Sequence, residues 1–279
     1  MSSQEPLSHP EAWLDVFSRI GDGVRRAVVP LSGTEAGRRA FEVGAGGDTT
    51  VEVDRVAEEI VFSELAALAE SGETFSVLSE EAGSRDFGAA YPLVLVDPVD
   101  GSLNAKQGVP LYGLMLAVLD GPTLADTLAG LVMDLATGQT WTAVRGAGAR
   151  RDDRPLEVLE PPYPDRIELM GLESTPRAIQ AAQPLIERAG KIRILGSMAV
   201  SISLVAAGGI DVFCAPMPVR VFDMAASLLL LREAGGAATT MDGGSLDGLP
   251  CDLATRTTLL CAPTRELHQE ALRILGNSK

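Results

Sequence analysis

The chain has 279 residues, 46% of them hydrophobic, enough for a large core in one unit or in two closely packed halves. A formal charge of −15 with scattered Lys and Arg excludes a nucleic-acid binder, which needs a basic face against phosphate. The three cysteines fall in no paired spacing, the opening residues are polar, and no apolar run nears the roughly 20 residues of a membrane helix. The expectation is a cytoplasmic protein with reduced thiols and no membrane or nucleic-acid partner. An acidic protein that handled phosphorylated compounds would need local positive charge, which bound cations supply.

Residues 12–39 read as helix interrupted near Pro30 to Gly33, and the glycines at 44–47 break it. From Asp54, the series Val56, Ile60, Val61, Leu65 and Leu68 recurs at helical spacing with acids opposite, ending near Gly72. Short apolar runs at 75–78, 93–96 and 112–119 read as buried strands, and 128–144 as a hairpin turning at Thr137-Gly138. The turn-rich segment 146–155 marks an expected boundary between halves 1–150 and 151–279. Beyond it the pattern predicts strands at 167–170, 192–195, 210–215 and 257–261, alternating with helices at 176–188, 197–207, 223–234 and 263–275. The fold class expected is mixed α/β, with sheets layered between helices.

Acidic residues gather at the ends of these elements. The strand 94–96 runs into Asp97-Pro98-Val99-Asp100-Gly101-Ser102, where Pro98 ends strand pairing and Gly101 permits close backbone approach. Such a string is also an ordinary turn. Ser79-Glu80-Glu81 ends the preceding apolar run, Asp48 and Asp54 bracket Thr49 and Thr50 before a helix, and Asp223 opens another. Carboxylates brought into one pocket cannot all ionise without cations, and hard oxygen ligands select Mg²⁺ or Mn²⁺ over zinc. The only histidines, His9 and His268, are expected at the surface, which argues against His-based catalysis.

These residues resemble the inositol monophosphatase family from about Gly44 to Leu275. The string 97–102 is similar to its DPxDG(T/S) signature, Ser79-Glu80-Glu81 to its GEE element, Asp48 to Asp54 to its Asp-x-x-Thr-x-x-Asp element, Phe222 to Ala226 to its WDxAA element, and Glu233 to Gly236 to its EAGG. The resemblance implies the αβαβα sandwich of that family and of fructose-1,6-bisphosphatase. It also implies a lithium-sensitive homodimer acting on a small phosphorylated metabolite. Glu80, Asp97, Asp100, Asp223 and the Val99 carbonyl would hold two or three Mg²⁺, with Mn²⁺ as an alternative. Asp48 and Ser102 would orient and deprotonate a water attacking in line without a phospho-enzyme. The Gly101 and Ser102 amides would hold phosphate, and Gly196, Ser197 and Met198 would line the substrate side.

The sequence departs from the family pattern at Val51, in place of the usual Thr, and at Phe222, in place of Trp. Pro216 stands roughly where animal members carry a Glu that grips inositol. The run Pro216 to Asp223 is more similar to archaeal-type enzymes that accept inositol phosphates and fructose 1,6-bisphosphate, with Arg220 a candidate for a second phosphate or a plain surface Arg. Histidinol phosphate and 3′-phosphoadenosine nucleotides stay open as substrates. An inactive binding scaffold is the alternative from another class. The three-residue spacing of Asp97 and Asp100 argues against the DxD loop of haloacid-dehalogenase phosphatases.

Overall fold

A computed structural model describes residues 9–47, 49–159 and 166–276. In chain order, helix α1 (Pro10–Val28) is followed by β1 (Ala40–Val43), β2 (Thr49–Val51), α2 (Glu52–Glu70), β3 (Phe75–Ser79), β4 (Gly83–Asp100), α3 (Ser102–Gln107) and β5 (Gly113–Leu119). Next come β6 (Thr127–Asp134), β7 (Thr140–Val144), β8 (Gly148–Arg151), β9 (Arg154–Pro155), β10 (Leu169–Leu172), α4 (Gln183–Ile186) and β11 (Lys191–Arg193). The chain closes with α5 (Met198–Ala206), β12 (Val212–Arg220), α6 (Ala225–Glu233), β13 (Ala237–Thr239), β14 (Arg256–Ala262) and α7 (Arg265–Gly276).

The strands form a seven-stranded sheet ordered β3-β4-β5-β6-β7-β8-β9, a five-stranded sheet ordered β11-β10-β12-β14-β13, and the small hairpin β1-β2. Strand periodicity stacks them into layers. On β5, every residue of which is buried, Leu114, Leu116 and Val118 pack with α1 and α2 through Phe17, Ile20, Val61 and Leu65. Its alternate residues Met115, Ala117 and Leu119 face α5 and α6 through Ile202, Val205, Leu229 and Leu230. The smaller sheet covers that same helix pair with Phe213, Ala215, Leu259 and Cys261, and turns Val212, Cys214, Leu260 and Ala262 to α4 and α7. Helices, sheet, helices, sheet and helices thus alternate, as the αβαβα expectation requires.

Several boundaries differ from expectation. Helix α1 stops at Val28, and only a 3₁₀ turn at Val29–Leu31 follows, because Pro30 supplies no N–H and its ring blocks continuation. Residues 32–39, expected as helix, hold turns instead, and β1 follows at Ala40. The helix expected over 176–188 shrinks to a 3₁₀ turn at Ile179–Ala182 and the single turn of α4, with Pro184 in that turn's first positions. β4 begins ten residues before the apolar run at Leu93. Its Gly83–Phe87 part runs antiparallel to β3 (Phe75↔Phe87 to Ser79↔Gly83), and its Leu93–Val96 part runs parallel to it (Ser76↔Leu93 to Ser79↔Val96). His9 is exposed, but His268 is 4% exposed, with Nε2 3.1 Å from Thr239 Oγ1.

Candidate active site

The central strand of the site is β4. Its pairing with β5 passes from Asp97↔Met115 to Asp100↔Gly113, so three steps on β4 face two on β5. Pro98 and Val99 therefore form a bulge, which re-aims the carboxylates on either side of it. Gly101 follows in the left-handed region at φ 95°, and α3 starts at Ser102. A side chain at Gly101 would meet the Gly196 carbonyl oxygen at 2.7 Å, so this glycine permits the approach of the segment that opens α5. Asn104 ties the same two segments together, donating from Nδ2 to Leu111 O (2.7 Å) and Leu195 O (2.6 Å).

Asp97 is 2% exposed. One carboxylate oxygen each of Glu80, Asp97 and Asp223 lies within 4.8 Å of the others, a spacing that can hold a cation. Asp97 Oδ1 and Asp223 Oδ1 are buried without a hydrogen-bond partner among the described residues. A buried carboxylate oxygen left unbonded is costly, and two of them on members of one converging carboxylate trio fit a metal ligand set of hard oxygens. Arg220, at the end of β12, lies against this group: Nη2 pairs with Glu80 Oε1, and Nε donates to Asp223 Oδ2 at 2.6 Å. Its guanidinium carbon stands 5.8 Å from the centre of the buried Phe222 ring.

Asp100 faces another way. Its oxygens accept from Ser197 Oγ (2.5 Å), Met198 N (3.1 Å) and Ala199 N (2.7 Å), so it caps the N-terminus of α5. Ser102 Oγ lies 2.6 Å from Asp54 Oδ1 and 2.8 Å from the Val99 carbonyl, to either of which it can donate. Asp54 Oδ2 accepts from Val51 N at 2.9 Å at the start of α2. Asp48, the other residue expected to act on water, lies outside the described residues. Gly101, Ser102 and Gly196 line a cavity of about 440 Å³ together with Asp54, Glu80, Asp97, Val99, Asp100 and Arg220. Met198 lines an adjoining cavity, and Ser197 is buried beneath Asp100.

Burial pushes the Asp97 carboxyl well above the ordinary carboxylate range, and the charges of Glu80, Asp100 and Asp223 push it further. Burial likewise raises Asp223 to about 8 against the opposing pull of Arg220, and raises Asp54 to about 6 despite the bonds from Ser102 and Val51. Asp100 is raised by burial, with the bonds from α5 working against the rise. Glu81, whose Oε2 bonds Thr50 Oγ1, is raised by burial to about 7. Six carboxyl residues line the 440 Å³ cavity against the cations Lys106 and Arg220. The excess of acid, with Asp54, Glu81, Asp97, Asp100 and Glu173 all raised chiefly by burial, is the electrostatic signature of a site built to receive cations.

Asp54, Glu81, Lys106 and Glu173 line this cavity without having been singled out for a role from the sequence. Asp54 carried a signal as the last residue of the Asp-x-x-Thr-x-x-Asp element, and Glu81 as the last of GEE. Lys106 and Glu173 carried none.

A five-layer α/β sandwich with a carboxylate-lined cavity at the end of β4 fits the class of metal-dependent phosphate-ester hydrolases, and the family match places the chain there. The sequence profile of the inositol monophosphatase family matches residues 23–279, and the chain belongs to that family. It is 33% identical over 274 residues to a fructose-1,6-bisphosphatase/inositol-1-monophosphatase of Methanothermobacter thermautotrophicus, covering 94% of this chain and 96% of that one. A bifunctional NADP phosphatase/NAD kinase of Methanococcus maripaludis is 26% identical over 284 residues, which cover 95% of this chain and 49% of the relative. The solved extragenic suppressor protein suhB of Bartonella henselae superposes with a TM-score of 0.79 at 24% identity, covering 96% of this chain and all of that one, and shares the fold.

Proposed function

We propose that the chain is a Mg²⁺-dependent phosphomonoesterase acting on inositol monophosphate or a related small sugar phosphate. The observation that carries this reading is the buried trio Glu80, Asp97 and Asp223, one carboxylate oxygen of each lying within 4.8 Å of the others, two of whose members also keep a buried oxygen, Asp97 Oδ1 and Asp223 Oδ1, without a hydrogen-bond partner among the described residues. Glu80, Asp97 and Asp223 would hold the first cation, with Asp100 and the Val99 carbonyl completing a set for two or three ions, Mn²⁺ being an alternative. Bound cations supply charge neutralisation and Lewis acidity to the phosphate.

The chain's own residues position the reaction. A Ser102 hydroxyl that donates to Asp54 Oδ1 turns its lone pairs outward to accept from an attacking water. The proton then passes through Ser102 Oγ to Asp54, whose raised carboxyl takes it up more readily than an ordinary aspartate. Asp48 shares this role by the family resemblance. The start of α3 at Ser102 directs the Gly101 and Ser102 amides at the phosphate. No side chain is esterified in this scheme, so no phospho-enzyme accumulates.

The relative named for both fructose-1,6-bisphosphatase and inositol-1-monophosphatase activity supports a broad substrate range, as does Pro216 in place of the inositol-gripping Glu. The NADP phosphatase relative supports a nucleotide as a second reading. A cytoplasmic, lithium-sensitive homodimer rests on the family resemblance alone. Halves at 1–150 and 151–279 are supported by the two large sheets, which fall close to either side of that boundary.

The test is phosphate release from inositol 1-phosphate, fructose 1,6-bisphosphate, histidinol phosphate, 3′-phosphoadenosine 5′-phosphate and NADP, with Mg²⁺ and with added lithium. Turnover of the first two is expected. Activity confined to histidinol phosphate or to the nucleotides would reject the sugar-phosphate reading.

A further inference from the structure

Beside the carboxylate cavity lies another of about 390 Å³, which shares Asp100, Glu173, Gly196 and Arg220 with it. Its wall continues through Met217, Pro218 and Arg256. The opening originates in β12. Pairing with β14 is regular from Phe213↔Cys261 to Ala215↔Leu259, then slips before Val219↔Thr257, so four steps on β12 face two on β14. Pro216 and Pro218 lie in that slip and bring no N–H to the ladder.

Where pairing resumes, Arg220 stands opposite Arg256. Like charges in that position repel, and the arrangement is tolerable because Glu80 and Asp223 neutralise Arg220. Arg256 is exposed and has no ion-pair partner among the described residues. Its Nη1 donates to Leu253 O (2.7 Å) and Thr255 O (3.3 Å), which anchors the guanidinium on its own loop. Asp252, in the same loop, turns Oδ1 to the amides of Ala254 and Thr255. The second cavity thus joins a carboxylate wall, Asp100, Glu173 and Asp223, to an exposed guanidinium at Arg256 that makes no close ion pair among the described residues and feels the charge of Asp252 from its own loop.

We propose that this cavity seats the leaving group of the substrate and that Arg256 binds a second phosphate on it, which makes Arg256 the residue that selects sugar bisphosphates. The inference rests on the reading that the adjoining cavity hydrolyses phosphate esters. Asp100 and Glu173 accept from the sugar hydroxyls between the two phosphates, and the planar guanidinium fork matches phosphate oxygens in pairs. The role once open to Arg220 passes to its cross-strand neighbour, because Arg220 is engaged with the carboxylates.

Fructose 1,6-bisphosphate and fructose 1-phosphate differ only in the distal phosphate, so the ratio of their kcat/KM values isolates it. The wild type is expected to favour the bisphosphate. Arg256→Met should lower that ratio at least about tenfold, chiefly through KM for the bisphosphate, and Arg256→Lys should restore part of it. Structural damage would depress both substrates together and leave the ratio alone. An unchanged ratio, or a wild type without preference, overturns the proposal. Calorimetric titration of the Mg²⁺-free protein with fructose 1,6-bisphosphate makes the same comparison without turnover. Failure to hydrolyse any ester therefore rejects the phosphatase reading, whereas equal binding by wild type and Arg256→Met rejects the role of Arg256.

Discussion

Gly101 joins two constraints in one residue. Its φ of 95° is one that side chains other than glycine rarely adopt, and a Cβ there would lie 2.7 Å from the Gly196 carbonyl oxygen. Gly101→Ala should therefore cost about 1–3 kcal/mol in urea denaturation and lower activity by parting the end of β4 from the start of α5. Stability within error of wild type would show that this approach is not held as described. Single residues differ in how far their sequence context reveals them. Asp97, Asp100 and Gly101 are legible because six contiguous residues carry strand end, bulge and helix start together. The Ser102–Asp54 bond joins residues 48 apart, and the burial of His268 depends on Thr239 and on α7 docking against the smaller sheet, so neither leaves a local trace.

At the level of elements, periodicity revealed most of what packs. The continuous apolar run of β5, the alternation along β7 and the one-sided stripes of α2 and α7 fall where burial on two faces or on one predicts, whereas α5 and α6, packed between the two sheets, are buried on nearly every side. Elements held by edges were less visible. β1, β2 and β13 are three or four residues long and have few buried side chains, so composition does not distinguish them from loops. The register slip of β12 against β14 sets which residue faces Arg220, and Arg256 became a candidate only once that pairing was visible. Asp100 shows the same dependence, since its engagement with α5 follows from the position of a helix almost a hundred residues away.

For the whole molecule, the acid-rich site opposes folding in the absence of cations. Glu81 and Asp223 carry folded-state values of about 7 and about 8, above their ordinary carboxylate values, so the folded state retains protons that the unfolded chain has lost. Their contribution to stability is present at low pH and disappears as pH rises through those values. His268 has the opposite sense. Burial lowers its value below 6.5, so its penalty operates only at lower pH and is absent above that point. The melting temperature of the metal-free protein should accordingly fall between pH 6.5 and 8, and saturating Mg²⁺ should flatten the decline by favouring the ionised carboxylates. A metal-free melting temperature that rises across this window would contradict the charge assignment.

The central claim is that Glu80, Asp97 and Asp223 hold the cation that hydrolysis requires. It is tested most directly by Mg²⁺-dependent phosphate release from fructose 1,6-bisphosphate and inositol 1-phosphate by wild type and Asp97→Asn, with circular dichroism confirming that both are folded. The account predicts Mg²⁺-dependent turnover by the wild type and a loss of at least about a hundredfold in the folded variant. Near-normal Mg²⁺-dependent turnover by Asp97→Asn would contradict it.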